Sequence, residues 1–478
     1  MLNEESGTYP LEPSSAEFRQ LVDAAVNRIV PFVESLATQR AGCLEGGEAL
    51  ARSLSHGAPE KGTGMEELLD IVFDQAVPLA FNTASPGYLA FVPGGGILHT
   101  AVANLIADAV NRYVTVFVAS PGMVQLEVNV VRWFCELVGL PAGSGGILTT
   151  GGSMANFSAV VTARHEKLPE DFLGGCLYVS DQVHHCVAKA AMLAGFPAAR
   201  VRRVPSDKHF RMRLDALQEM ITEDRAAGLQ PFMVVASSGT TNTGAIDPLH
   251  GIANLAEAED LWFHVDGAYG GFFLLTERGK AKLSGIERAD SVVLDPHKGL
   301  FLPYGTGALV VRDPAALGRA HSVTSDYMPA YQADPDLVDF CTLSPELSRD
   351  NRGLRVWLPI QLVGLGAFRD ALNEKLDLTE FAVDALRELP DVRIVAEPEL
   401  SLFAFRLEPE GLTGEELDVL NHAWLEETNR PGRVMLTGTT LGGLFALRIC
   451  VLSFRTHLDR MQMALEDLRA AALQVTAS

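Results

Sequence analysis

A lysine that directly follows a predicted strand is the first residue whose position indicates chemistry. The apolar, β-branched run 291–294 predicts a buried strand, and Pro296 ends it because proline has no N–H to continue a ladder. Lys298 therefore lies just past the carboxyl end of a strand, where open α/β sheets bind ligands. Desolvation by its apolar neighbours is expected to lower its pKa and free the amine for Schiff-base formation. The alternative is a surface lysine whose stem lies over apolar side chains.

An aspartate upstream occupies a similar position. The run 262–265 predicts another buried strand, which ends in Asp266, and Gly267 and Ala268 then leave room for a flat group. Pyridoxal phosphate needs a lysine for its Schiff base and a carboxylate that keeps its ring nitrogen protonated, so that the ring accepts electrons. Asp266 could instead cap a helix. The two motifs together, one strand–connection–strand step apart, favour the cofactor.

These motifs resemble those of the group II pyridoxal-phosphate decarboxylases, the family of aromatic L-amino-acid decarboxylase. The matching segments are His-Val-Asp-Gly-Ala-Tyr-Gly-Gly at 264–271 and Pro-His-Lys at 296–298, and the resemblance extends roughly from Ser14 to Arg455. It implies a fold-type I homodimer with active sites at the subunit interface. It also implies a cofactor bound to Lys298, with Asp266 beside its ring nitrogen.

A run of glycines and hydroxyls at 145–156 leads into a predicted helix. Backbone N–H groups and the helix dipole at such a start favour an anion. The run matches neither a Walker A motif nor G-x-G-x-x-G, so it does not indicate a nucleotide, and a plain glycine turn capped by Ser153 would also explain it. In the resembled family, Gly152 and Ser153 match the phosphate-binding pair, and His297 is expected to help hold the phosphate.

The resemblance assigns further residues to the cofactor. A histidine after the predicted strand 177–180 stacks on the pyridine ring in the family; that position is His184, although the adjacent His185 leaves a one-residue ambiguity. Thr241 matches a hydroxyl near the cofactor, and Ala268 follows the ring-nitrogen carboxylate. These assignments predict that one cleft contains all of them.

The substrate side of the site is predicted from weaker signals. Phe91 and Pro93 lie in a glycine- and proline-rich run that occupies the place of the family's substrate-pocket segment, and Tyr304 adds an aromatic ring. Arg448 matches an arginine near the family's active site but could equally be a structural ion-pair residue. An apolar or aromatic substrate side chain is therefore expected.

The sequence departs from the resembled family at the residue that donates the proton. The resembled decarboxylases use a loop tyrosine to protonate the carbanion, and an ungapped count back from Leu354 puts Phe340 in that place. Phenylalanine cannot donate a proton. In similar plant aldehyde synthases this departure leads to aldehyde, ammonia and peroxide. Because the loop 324–348 is divergent, Tyr327 or Tyr331 could be the donor instead.

Several functions therefore compete. Simple decarboxylation of an L-amino acid comes first, oxidative decarboxylation with deamination second because of Phe340, and lyase chemistry on a cysteine S-conjugate third. A catalytically inactive scaffold of the same fold is the non-enzymatic alternative. An ATPase or a dehydrogenase is disfavoured because no matching glycine fingerprint is present.

Composition narrows the partners. A net charge of −22 argues against nucleic acid and anionic membranes, because both would be repelled. The six cysteines form no CxxC pair, which argues against a disulfide framework and a zinc site. No secretory-signal pattern or long apolar run is evident, so the expected location is the cytoplasm, and the expected ligands are small molecules.

The order of predicted elements gives the fold. Strands alternate with helical stretches, which indicates a mainly parallel sheet between helix layers, with seven strands in the resembled fold. The predicted divisions are an N-terminal helical segment at 1–84 that clasps the partner subunit, a cofactor-binding domain at 85–360 and a small α+β domain at 361–478. Ser14 and Glu17 form a capping-box pattern at the first helix.

Overall fold

A seven-stranded sheet forms the centre of the molecule. The computed structural model describes residues 11–323, 326, 328, 331, 332, 334 and 336–477. The strands of this sheet are β1 (Gly145–Thr149), β2 (Gly175–Ser180), β3 (Val201–Val204), β4 (Gln230–Ser237), β5 (Trp262–Gly267), β6 (Ser291–Leu294) and β7 (Gly307–Val311). Their order is β1-β7-β6-β5-β4-β2-β3, and only β7 runs antiparallel to its neighbours. The predicted mainly parallel sheet is confirmed.

Fifteen α-helices occur in the described part of the chain. They are α1 (Ser15–Ser35), α2 (Gly47–Ser53), α3 (Met65–Asp70), α4 (Leu98–Val110), α5 (Pro121–Val138), α6 (Gly152–Lys167), α7 (His185–Leu193), α8 (Leu214–Ala226), α9 (Leu249–Ala258), α10 (Glu277–Lys282), α11 (Pro296–Gly299), α12 (Pro314–His321), α13 (Arg352–Arg387), α14 (Gly414–Asn429) and α15 (Leu458–Thr476).

Helices cover both faces of the sheet, which explains why its strands are continuously apolar. Successive side chains of a strand point to opposite faces, so Phe263 and Val265 of β5 pack into one core and Trp262 into the other. Small residues of α6, such as Ala155 and Ala159, let that helix lie close to the second face. The sheet is therefore held rigidly between its helix layers, and β4, β5 and β6 end side by side at its carboxyl edge.

A smaller domain follows the large one. Its antiparallel sheet has the order β10-β11-β9-β8, with strands β8 (Val392–Ala396), β9 (Leu402–Leu407), β10 (Thr437–Leu441) and β11 (Leu444–Cys450). The helix α13 runs across the boundary predicted after residue 360, and its helical dihedrals are interrupted at Gly364, where φ is 73°. The C-terminal half of α13 packs with α14 and α15 around the buried Trp424.

The N-terminal helix packs differently from the rest. Ser14 accepts a hydrogen bond from the Glu17 N–H while the Glu17 side chain accepts one from the Ser14 N–H, so the predicted capping box is confirmed. No residue of α1 is buried in the chain. The helix therefore has an apolar face without a core of its own to cover it.

Candidate active site

A cavity of about 380 Å³ opens at the carboxyl edge of the large sheet. The edge forms because β4, β5 and β6 are parallel, so the residues that end them meet side by side; Ser237 pairs with Asp266, and Gly267 with Leu294. The predicted residues that line the cavity are Gly152, Ser153, His184, Thr241, Asp266, Ala268, His297, Lys298 and Tyr304. Segments far apart in the sequence are thus brought to one place.

Lys298 belongs to α11, the single turn that follows β6. Its Nζ lies 2.8 Å from Asp295 Oδ2. Burial alone lowers the pKa of Lys298, but the attraction of the Asp295 carboxylate outweighs burial and raises the pKa above its ordinary value. The predicted lowering of the lysine pKa was therefore wrong for this arrangement of side chains. The error arose because the sequence argument counted apolar neighbours and overlooked the carboxylate three residues earlier.

Asp266 ends β5 with hydrogen-bond donors on both of its oxygens. Oδ1 accepts a bond from the Ala268 N–H at 3.1 Å, and Oδ2 accepts one from the Asn156 amide at 3.3 Å. The side chain is buried but lines the cavity. An ionised carboxylate only accepts hydrogen bonds, so this one is held ready for a further donor in the cleft.

The start of α6 forms a cradle opposite Asp266. Gly151 has a φ of 151°, a conformation that favours glycine, and the next two residues, Gly152 and Ser153, begin α6 and line the cavity. The first N–H groups of a helix have no partner within the helix. A Cβ added to Gly152 would lie 3.0 Å from Asp295 Oδ2 and 3.3 Å from Ala268 Cβ. Glycine therefore allows the close approach, and the dipole at the helix start favours an anion there.

Three other side chains complete the cavity. His184 lines it and caps α7, accepting a hydrogen bond from the Cys186 N–H through Nδ1, whereas His185 is exposed and does not line it. Burial lowers the pKa of His184 and of His297. His297 Nδ1 lies 2.6 Å from the Thr306 carbonyl oxygen. Both neutral rings can cover a flat ligand, but only His184 can donate to it through Nε2, because the carbonyl partner of His297 keeps that ring's single proton on Nδ1.

The predicted substrate residues lie at the rim or beyond it. Tyr304 lines the cavity, is 55% exposed and accepts a hydrogen bond from the Gly94 N–H at 3.2 Å. Phe91 is 50% exposed and Pro93 is buried, and neither lines the cavity. Arg448 is buried in the small domain, where it donates to Phe91 O and Thr437 Oγ1. Its Nε finds no hydrogen-bond partner among the described residues.

The structure does not bring Phe340 to the cleft. Its ring is 1% exposed and packs in the core beneath the Arg349 guanidinium, 4.5 Å away. A ring buried in this way cannot contact a substrate. The position was inferred by counting residues without gaps through a divergent loop. The Tyr331 hydroxyl lies 3.4 Å from the Val323 carbonyl oxygen. Tyr327 lies outside the described residues.

The cleft fits pyridoxal phosphate. The helix start suits a phosphate, Asp266 suits a protonated ring nitrogen and Lys298 suits the aldehyde. The buried Asp295 Oδ1, which finds no partner in the part of the chain that the structure describes, points to a group still to be bound. Among the described residues there is no cluster of side chains that could hold a metal ion.

Two residues of this site were missed by the sequence argument. Asn156 bonds to Asp266, and Asp295 bonds to Lys298. The signals were present: Asn156 lies four residues after Gly152 and so shares its face of α6, and Asp295 lies one turn before Lys298. Neither residue type is distinctive enough to be singled out without its partners.

Comparisons with known proteins identify the family of this chain. A family model described as a pyridoxal-dependent decarboxylase conserved domain matches residues 48–408. An aromatic-L-amino-acid decarboxylase of Bacillus atrophaeus is 33% identical over 470 residues, which cover 98% of each chain.

Solved structures give the same result for the fold. A structure of Oryza sativa TDC with PLP and tryptamine superimposes with a TM-score of 0.92 at 26% identity, covering 98% of this chain and 99% of the other. A Rhodiola rosea 4-hydroxyphenylacetaldehyde synthase has a TM-score of 0.90 at 24% identity, covering 96% of this chain and 99% of the other. The second likeness concerns the fold alone. Among the described residues, no helix combines the length and apolarity needed to cross a membrane.

Proposed function

The chain belongs to the pyridoxal-dependent decarboxylase family, and from that premise we propose that it removes the carboxyl group of an aromatic L-amino acid to give the amine. One observation carries the proposal. Lys298, Asp266 and the open start of α6 meet in one cleft, in a chain that aligns end to end with an aromatic-L-amino-acid decarboxylase.

The residues of the cleft have separate tasks. Gly152 and Ser153 would hold the phosphate through backbone N–H groups, and Asp266 would accept a hydrogen bond from the protonated ring nitrogen. Pyridoxal phosphate, when bound, supplies an electron sink for the bond that breaks at the substrate's α-carbon. Lys298 would supply the amine that attaches the cofactor to the protein.

Charge balance around Lys298 controls its readiness to react. The Asp295 carboxylate holds a proton on the amine, and that proton must leave before nitrogen can attack a carbonyl carbon. Asp295 Oδ2 lies 2.8 Å from the amine nitrogen and pairs with its charged form. The carboxylate therefore favours the protonated amine and lowers the fraction of free amine that can react.

The orientation of the substrate depends on the side chains above the cleft floor. His184, whose Nδ1 is occupied by the Cys186 N–H, presents its ring and Nε2 to the cavity. Its lowered pKa, caused by burial, keeps it neutral near pH 7, so it can cover an aromatic ring and donate one hydrogen bond. Tyr304 at the rim supports an aromatic side chain as the preferred substrate group.

The reaction is tested with a panel of L-amino acids. L-Tryptophan, L-tyrosine, L-phenylalanine, L-glutamate and cysteine sulfinate are incubated with holoenzyme while carbon dioxide, amine, aldehyde and oxygen are measured. We expect equal amounts of amine and carbon dioxide from an aromatic substrate, without oxygen uptake. Aldehyde with stoichiometric oxygen uptake would establish the oxidative alternative instead, and turnover of the acidic substrates alone would refute aromatic selectivity.

The functional unit is proposed to be a homodimer. Large apolar side chains of α1 and α4 are exposed, and they include Phe18, Leu21, Ile29, Val102 and Leu105. An apolar face of this size on a soluble chain indicates an interaction surface, and a second copy of the chain would cover it. Sedimentation equilibrium should give twice the mass of the chain, and a single-chain mass at micromolar concentration would contradict the proposal.

A further inference from the structure

A chain of buried polar side chains extends behind Asp266, away from the cleft. Trp262 Nε1 lies 2.8 Å from Ser291 Oγ, which lies 2.7 Å from His264 Nδ1. His264 Nε2 lies 3.0 Å from Asn156 Oδ1, and the amide nitrogen of Asn156 reaches Asp266 Oδ2. His264 and Ser291 are 0% exposed and Asn156 is 1% exposed. The four hydrogen bonds thus form an unbroken path through the protein interior.

The direction of every bond in this path follows from its neighbours. The amide nitrogen of Asn156 faces three acceptors, the Gly152 carbonyl at 2.9 Å, Asp266 Oδ2 at 3.3 Å and Cys186 Sγ at 3.5 Å, so the amide oxygen must face His264. An oxygen at that place requires His264 to carry its proton on Nε2. Burial lowers the pKa of His264 to about 3, so the ring is neutral and its Nδ1 accepts.

The far end of the path has the same direction. Because His264 Nδ1 accepts, the Ser291 hydroxyl donates to it, and Ser291 Oγ accepts from Trp262, whose indole N–H only donates. All four bonds therefore donate toward Asp266. Chains of hydrogen bonds aligned in one direction polarise one another, which strengthens the last donor in the series.

The register of β5 produces this arrangement. Trp262, His264 and Asp266 are at alternate positions and lie on the sheet face that α6 covers, while Val265 points to the opposite face. Asn156 also holds the Gly152 carbonyl at the start of α6. It thus joins the two ends of the cofactor site, the phosphate cradle and the carboxylate for the ring nitrogen.

We infer that His264 is a positioning residue for the cofactor: its single Nε2 proton fixes the Asn156 amide so that the amide donates to Asp266. The inference deepens the cofactor part of the proposed function and rests on it. Without His264, the Asn156 amide can turn and present its oxygen to the carboxylate. Two acceptors then face each other, and Asp266 moves from the position that protonates the ring nitrogen.

The test measures protonation of the ring directly, without substrate. Holoenzyme is reconstituted with pyridoxal phosphate labelled with nitrogen-15 in the ring, and the nitrogen chemical shift reports the protonated fraction. The variants are His264→Leu, which removes both bonds, and Ser291→Ala, which removes the donor to Nδ1. His264→Gln is the conservative variant, because its amide can still donate to Asn156 and accept from Ser291.

The expected change in ring-nitrogen protonation is smaller for residues that lie farther from Asp266 along the path. His264→Leu should raise the ratio of unprotonated to protonated ring nitrogen about tenfold, as expected for a lost hydrogen bond to a charged group. Ser291→Ala should raise it about threefold through the weakened chain, and His264→Gln should stay within about twofold of the wild type. Val265→Ala, a cavity variant on the other face of β5, should lower the unfolding temperature without moving the resonance.

Two results would overturn the inference. In the first, His264→Leu holoenzyme keeps the wild-type nitrogen resonance while its unfolding temperature falls as in Val265→Ala, which would make His264 a packing residue only. In the second, which applies if His264→Leu does not fold, the resonance of Ser291→Ala is unchanged. Neither result depends on which amino acid the enzyme accepts, so failure of the substrate proposal remains distinguishable.

Discussion

The floor and the rim of the cleft are built on different principles. The floor, defined as Asn156, Asp266, Asp295 and Lys298, consists of polar side chains bonded to one another at the buried edge of the sheet. The rim, defined as Tyr304, is an aromatic ring that is half exposed, and the equally exposed Phe91 lies beyond it. We therefore expect the cofactor chemistry to depend on the buried polar contacts of the floor and the substrate preference to depend on the more exposed aromatic side chain of the rim.

Loss of the nucleophile should have the largest effect. Lys298→Ala removes the amine, so the rate of decarboxylation should fall at least about a thousandfold, while the helix start still binds the phosphate. Steady-state carbon dioxide release and equilibrium dialysis of the cofactor measure the two properties. Lys189→Ala, at an exposed position of α7, is the matched control. Activity within tenfold of the wild type would show that the floor is not the reacting site.

The second effect tests the charge of the floor. Asp266→Asn keeps the shape of the side chain but cannot hold the ring nitrogen protonated, so kcat should fall about a hundredfold or more. The absorbance spectrum of the bound cofactor should change with it. A fall of less than about fivefold in kcat, with an unchanged spectrum, would mean that the carboxylate serves only the fold.

The third effect tests pH dependence at Lys298. Asp295 raises the pKa of the lysine, so only a small fraction of the wild-type amine is free near pH 7, and the rate of condensation should rise with pH. In Asp295→Asn, burial becomes the main influence and lowers the pKa, so apoenzyme should react with pyridoxal about tenfold faster near pH 7.

Stopped-flow absorbance between about pH 6 and 10 measures this reaction. Pyridoxal is used in place of pyridoxal phosphate, so that the effect of the Asp295 charge on phosphate binding does not enter the measured rate. The two proteins should converge at the alkaline end, where both amines are free. A slower reaction of Asp295→Asn throughout would show that the carboxylate acts as the essential base and that the raised pKa is secondary.

The smallest effect is expected at the rim. Tyr304→Phe removes the hydroxyl that accepts from the Gly94 N–H, so KM should rise about threefold with kcat nearly unchanged, because the exposed bond contributes little. Steady-state kinetics with the preferred aromatic substrate measure both constants. A loss of kcat as large as that of Asp266→Asn would remove the distinction between rim and floor.

Local sequence patterns predicted two of the four floor residues, Asp266 and Lys298, and missed Asn156 and Asp295, which bond to them. A strand that ends in a carboxylate or shortly before a lysine is recognisable from a few adjacent residues, so Asp266 and Lys298 were located together. The bond from Asn156 to His264 joins residues 108 positions apart, and no local pattern contains it. The ungapped residue count placed Phe340 at the cleft because it assumed a loop at this position, whereas the structure buries the Phe340 ring.

Reduction of the holoenzyme with borohydride tests the central claim most directly. Borohydride converts the bond between cofactor and lysine into a stable secondary amine, and peptide mass spectrometry then locates it. The account predicts a phosphopyridoxyl group on Lys298 and loss of the visible absorbance. A protein that binds the cofactor but carries the label on another lysine, or on none, would contradict it.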